Sequence, residues 1–174
     1  MDNTAKELLM LSLGKFYRKD GVVDKLLAIT QGQSNMSLRL LDWFVTNYSK
    51  KHSTHIIKDD GTHLNVYLSY RTQLKAYSKQ QFDPFRRRDR ISFYYAPETY
   101  IETTIGQLNF FKWVIENNIN TYIIENVEAI EKDMISSQKL TRKQETAKSK
   151  RSQLSSSFTK SMNTMHGTHM VAFA

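Results

Sequence analysis

The sequence predicts an α+β fold: a small antiparallel sheet packed with several helices, plus an extended basic C-terminal tail. Three observations carry this. Apolar residues recur at helical spacing in Leu38, Leu41, Val45 and Tyr48, and again in Ile105, Leu108, Phe111, Ile115 and Ile119. Between these two segments lie runs that alternate, as strands do. The positive charge gathers at one end. From Lys139 to Ala174 seven basic residues face one acid, giving +6 of the total of +8; the other 138 residues carry 18 basic and 16 acidic groups, +2.

Taken in order, "ELLMLSLGKFY" is weakly periodic, and "KDG" after it breaks a helix. "SNMSLRLLDWFVTNYSKK" reads as a helix, with Ser34, Asn35 or Ser37 as candidate N-caps and lysines at its end. In "HLNVYLSYRTQLKAY", Leu64, Val66, Leu68, Tyr70, Thr72, Leu74 and Ala76 share one parity, so a strand is expected at least to Arg71. "RISFYY" alternates through Ile91, Phe93 and Tyr95 and is its expected partner; "YIETT" is a candidate third strand. Thr104-Ile-Gly-Gln107 has the spacing of a capping box, in which a Thr hydroxyl serves a backbone N–H three residues on. It opens a helix expected to bury Ile105, Leu108, Phe111 and Ile115 against the sheet. "ENNIN" ends or kinks that helix. Ile123, Val127, Ile130 and Met134 mark another that runs into the tail.

With 174 residues, one domain and an appended segment are expected: a globular body over 1–138 and a tail over 139–174. The chain has no cysteine, which excludes disulfides, thiol nucleophiles and thiolate metal sites. The opening "MDNTAKELLMLSLGKF" lacks the basic start and long apolar run of a signal peptide, and no stretch reaches the roughly 18 apolar residues of a membrane helix. Residues 139–165 are rich in Ser, Thr, Lys and Gln. They cannot bury enough surface to offset their ordering entropy, so disorder is expected in the free chain. The tail ends in "HMVAFA", where Met170, Val171 and Phe173 form an apolar hook on a polar tether.

"FDPFRRRDRISFYY", Phe82–Tyr95, sets four arginines and two aspartates among five aromatic rings. Asp83-Pro84 marks a turn, because proline fixes its own φ and disfavours helix in the residue before it. Arg86, Arg87, Arg88 and Arg90 therefore lie on a loop or strand entrance. Arginine suits bidentate contacts to carboxylate or phosphate, and aromatics beside it suit both base stacking and protein interfaces. The plainer alternative is that Phe82 and Phe85 plug the core while Asp83 and Asp89 pair with neighbouring arginines. A partner contact is the preferred reading.

His52, His55 and His63 are close in sequence, as are His166 and His169, but nothing marks a metal site and solvent-exposed histidines are expected. No phosphate-loop, dinucleotide, nucleophile-elbow or metalloprotease motif is present. Glu98 and Glu102 carry no sign of an acid/base pair. Trp43 and Trp113 are expected as core or groove anchors. No catalytic residue, cofactor or metal is assigned.

"LRLLDWFVTNYSKK" at Leu38–Lys51, "YLSYRTQLKAYSKQQFDPFRRRDRI" at Tyr67–Ile91 and "ETTIGQLNFFKWVIENNI" at Glu102–Ile119 together resemble a small, mostly uncharacterised protein of nucleocytoplasmic large DNA viruses. The tail resembles that family's basic linker and short apolar end. The resemblance implies a viral gene product made in the host cytoplasm, and it brings no catalytic motif. With the residue reading, the expectation is a non-enzymatic minor capsid or virion-associated protein that links viral structural proteins through its C-terminal arm. The partner-binding candidates are Arg86, Arg87, Arg88, Arg90, Met170, Val171 and Phe173. The alternative is a nucleic-acid-binding accessory protein of replication or transcription, using the basic tail.

Overall fold

The computed structural model describes residues 3–58, 60–77 and 79–148. The packed unit is Met1–Ser137. It is α+β, with helices α1 (Asn3–Tyr17), α2 (Val22–Thr30), α3 (Leu38–Trp43), α4 (Ser49–Lys51), α5 (Val66–Tyr77), α6 (Ile105–Glu116), α7 (Ile119–Glu125) and α8 (Val127–Lys148). Two separate antiparallel hairpins accompany them. Strand β1 (His55–Ile57) pairs with β2 (His63–Asn65), and β3 (Ile91–Ala96) with β4 (Thr99–Thr103).

Helix α6 is the centre. Leu108, Phe110, Phe111, Val114 and Ile115 are buried together with Gly106, Gln107, Asn109 and Trp113. A helix buried on nearly every side belongs inside a core, not on its surface. Thr104 caps it by accepting from the Gln107 amide at 3.1 Å. Only half of the capping box forms, because the Gln107 side chain turns to Thr103 and Pro84. Helices α1, α2 and α7 pack on α6, so its neighbours are helices where a sheet was expected. From α1 come Leu13, Phe16 and Tyr17, and the Tyr17 hydroxyl donates to the Leu108 carbonyl at 2.7 Å. Burial, then the charge of Glu116, pushes the Tyr17 phenol far above its usual range. Asn118, left-handed at φ 53°, separates α6 from α7, where "ENNIN" predicted a break.

The predicted helix over Leu38–Lys51 forms with Ser37 as its cap, accepting from the Leu40 amide at 3.1 Å. In its middle, Phe44–Tyr48 widen into a π-turn. The Ser49 amide bonds Phe44, five residues back, and the Ser49 hydroxyl then serves the Val45 carbonyl at 3.0 Å. That carbonyl is the one an α-helix would have given to the amide.

The long strand predicted from Leu64 is wrong beyond Asn65. Residues Val66–Tyr77 are helix α5, opened by the Asn65 side chain, which accepts from the Leu68 amide at 2.9 Å. Leu68 is 62% exposed, while Val66, Tyr70, Leu74 and Tyr77 face the core at helical spacing. "RISFYY" is indeed a strand, but its partner is "YIETT", in the register Ser92↔Glu102, Phe93↔Ile101 and Tyr94↔Tyr100. At the other end, α8 continues to Lys148, so the boundary expected at Lys139 falls inside a helix. The packed unit nonetheless ends at Ser137, one residue short of the expected body boundary at 138. The rest of the predicted tail, including Met170, Val171 and Phe173, lies outside the described residues.

Candidate functional site

The segment between α5 and β3 is fastened to α6. Phe82 is buried among Tyr70, Tyr77, Phe110 and Trp113, with ring centroids 5.1–6.4 Å away. Buried Gln107 donates to the Pro84 carbonyl at 2.9 Å and accepts from the Thr103 hydroxyl at 2.8 Å. Asn109 donates to Gln81 at 3.0 Å. Gly106 permits this approach: a Cβ there would stand 2.9 Å from the Gln80 carbonyl oxygen. The arginines that follow are thus held by a rigid base.

They divide between two faces. Arg87 and Arg88 line a cleft of about 360 Å³ with Asp42, Thr46, Tyr70, Lys79 and Asp83. Arg87 pairs with Asp83 at 3.4 Å and lies over the half-buried Phe85 ring, 4.5 Å from its centroid. Phe85 is therefore a platform for Arg87 rather than the core plug expected of it. Burial raises the Asp42 carboxyl above its ordinary range; Arg87 opposes this and Asp83 adds to it. Burial, then the nearby charges of Asp42 and Asp83, lifts the Tyr70 phenol to about 12. The cleft has an acidic floor beneath a basic rim.

Arg86 and Arg90 turn to the β3–β4 hairpin. Arg86 donates to the Glu102 carbonyl at 3.2 Å, and Arg90 pairs with the Glu102 carboxylate at 3.3 Å. Beside them Tyr94 and Tyr100, opposite each other across the ladder, stand outward with ring centroids 5.2 Å apart; they are 62% and 54% exposed. Among the described residues, Arg88 and Asp89 have no ion pair. Of the two expected carboxylate partners, Asp83 serves and Asp89 does not; Glu102, 12 residues along from Arg90, was missed. Only the hairpin register reveals Glu102 and the tyrosine pair, so sequence spacing gave no signal for them.

Among the described residues, the histidines do not converge. His52 stacks on Tyr48 and lies 3.7 Å from Asp133, His55 contacts Asn65 at 3.2 Å, and His166 and His169 fall outside the described residues. Among the described residues, no three His, Asp or Glu side chains gather as a metal site, and no helix is long and apolar enough to cross a membrane. Trp113 is a core anchor that donates to Ser69 at 2.9 Å. Trp43 is half-buried and donates to Asp133 at 3.1 Å, which also takes Lys51 and so ties α8 to α3 and α4. The burial of Asp133 works against its ionisation, but the hydrogen bonds from Lys51 and Trp43 outweigh it and hold the carboxyl below its usual range.

What the fold and surface define is a small α+β domain presenting a fixed aromatic–arginine face and a mixed-charge cleft. The chain belongs to a family of unknown function (DUF7197), whose profile matches residues 2–171. It is similar to the uncharacterized protein L507 of Acanthamoeba polyphaga mimivirus, a nucleocytoplasmic large DNA virus, at 42% identity over 141 residues. That alignment covers 75% of this chain and 54% of the relative, so the chain spans about half the relative's length. No solved structure matches. The resemblance read from the sequence is thereby confirmed.

Proposed function

We propose that this viral protein is a non-enzymatic interaction protein, a minor capsid or virion-associated component that binds other viral structural proteins. The observation that carries this reading is the outward Tyr94–Tyr100 pair beside Arg86, Arg90 and Glu102. Tyrosine and arginine are the residues enriched at protein interfaces, where they combine large contact area with directed hydrogen bonds. Here they stand on a hairpin whose base is locked to α6, so little ordering entropy is lost on docking. The arginine–carboxylate pairs also suit a protein surface better than a phosphate track, because each carboxylate weakens the field that a nucleic acid would seek.

In this reading the C-terminal segment supplies reach, and Met170, Val171 and Phe173 dock on a neighbour by strand addition. The helix through Lys148 shortens the reach first expected, since helix advances about 1.5 Å per residue against about 3.3 Å for extended chain. The test is cross-linking mass spectrometry on purified particles of the encoding virus. The protein should be present, with cross-links from the β3–β4 hairpin and from beyond Lys148 to shell proteins. Its absence from particles would sink the proposal. The second reading, a nucleic-acid accessory protein, rests on the +6 charge of 139–174. It requires tight binding that falls steeply with salt.

A further inference from the structure

The outer face of α1 is unlike the rest of the surface. Leu8 and Leu11 are each 63% exposed. At 100° per residue, Glu7, Leu11, Gly14 and Arg18 fall on one stripe, opposite the buried Leu13 and Phe16. Arg18 still belongs to this geometry, because its amide bonds the Gly14 carbonyl at 3.2 Å. Glycine inside a helix costs about 1 kcal/mol relative to alanine. Gly14 has no positive φ, and nothing within 4 Å of where its Cβ would stand. Among the described residues this glycine has no steric cause.

The stripe is self-complementary under reversal. Place two such helices antiparallel about a two-fold axis between positions 12 and 13. Each residue then faces the one whose number completes 25. Leu11 enters the notch left by Gly14 of the second copy, and Glu7 meets Arg18 of the second copy. Symmetry repeats both contacts, as an isologous interface requires. A parallel pairing would instead set Glu7 on Glu7, Arg18 on Arg18 and glycine on glycine. Neither Glu7 nor Arg18 has an ion pair among the described residues.

We propose that two copies of the chain associate through antiparallel packing of α1 on α1, with Gly14 as the point of closest approach. A single helix pair is a small contact, so the dimer is a weak one that forms at micromolar concentration and above. The test is sedimentation equilibrium of the full chain with charge-reversal variants. Wild type should dimerise, and Glu7→Arg or Arg18→Glu alone should weaken association at least tenfold. The double variant should recover it, since its charges again alternate under the two-fold. Gly14→Leu should fold, because leucine favours helix, yet remain monomeric. A chain that is monomeric at every concentration, its α1 face left free or covered by another segment or protein, would overturn the proposal. So would a dimer indifferent to both charge reversals.

Discussion

Gly106→Ala and Gly14→Ala are the same substitution in two helices and should have opposite signs. At Gly106 a methyl group would sit 2.9 Å from the Gln80 carbonyl oxygen and 3.4 Å from Gln81 C and Phe82 N. Those atoms are backbone, so rotating a side chain cannot relieve the clash. The segment must move off α6 by several tenths of an ångström, straining the Gly106 carbonyl's bond from the Asp83 amide (3.2 Å) and the Gln107 bond to Pro84. Overpacking of this kind costs about 1–3 kcal/mol, and alanine's helix propensity returns about 1 kcal/mol. The net expectation is a loss of up to about 2 kcal/mol, centred near 1 kcal/mol, or roughly 2–4 °C in melting temperature for a chain of this size. At Gly14 the methyl meets nothing, so in dilute, monomeric protein only the gain of up to about 1 kcal/mol remains. Urea unfolding followed by circular dichroism reads both. If Gly106→Ala is as stable as wild type, the segment is not held against α6 as described.

Phe111→Ala should cost about 3–5 kcal/mol, because its ring is fully buried at the centre; an unchanged denaturation midpoint would remove α6 from the core. Asp133→Ala should destabilise by about 1–3 kcal/mol, since it strands the Trp43 indole N–H. Because the Asp133 carboxyl titrates below 3.8 in the folded chain, its contribution is present above that pH and fades as the pH falls through the folded value. Asp42 runs the other way. Its folded carboxyl holds its proton longer than the unfolded one, so stability should drop as pH rises from 3.8 through the folded value. Asp42→Asn should flatten that drop, and an unaltered pH profile would count against the burial of this acid. Changing Arg86, Arg87 and Arg88 to Ala should leave DNA and RNA affinity weak and unchanged by filter binding; a large loss from tight binding would favour the nucleic-acid reading.

Helix α6 was legible in the sequence because its cap, Thr104, and its apolar period agree. The Leu38–Lys51 helix was legible for the same reason. The β3–β4 hairpin was half legible, its strands identified and their pairing missed. Val66–Tyr77 was misread because two periods fit it. Leu64, Val66, Leu68 and Tyr70 satisfy a strand, while Val66, Tyr70, Leu74 and Tyr77 satisfy a helix. The deciding mark was Asn65, an N-cap residue standing directly before the pattern. The candidate surface was legible only as a composition. That Arg86 and Arg90 would share Glu102, while Arg87 turned to Asp83 and Phe85, depends on hairpin register and on Gln107. Local spacing carries neither.

The π-turn at Phe44–Tyr48 leaves a mark on how this stretch can change. A π-turn holds one residue more than the α-helix it interrupts, and each residue is worth about 100° of rotation. The wide turn absorbs that residue, so deleting one between Phe44 and Tyr48 would restore plain α-helix, with the Ser49 amide still on the Phe44 carbonyl, now four residues back. Everything beyond the turn would keep its face, so Lys51 would still reach Asp133. The Val45 carbonyl, where Val45 is kept, would pass from the Ser49 hydroxyl to the Lys50 amide. Relatives that lack this residue should therefore be free to lose the Ser49 hydroxyl while keeping the lysine, whereas those that keep it can vary at Asn47, whose side chain is exposed.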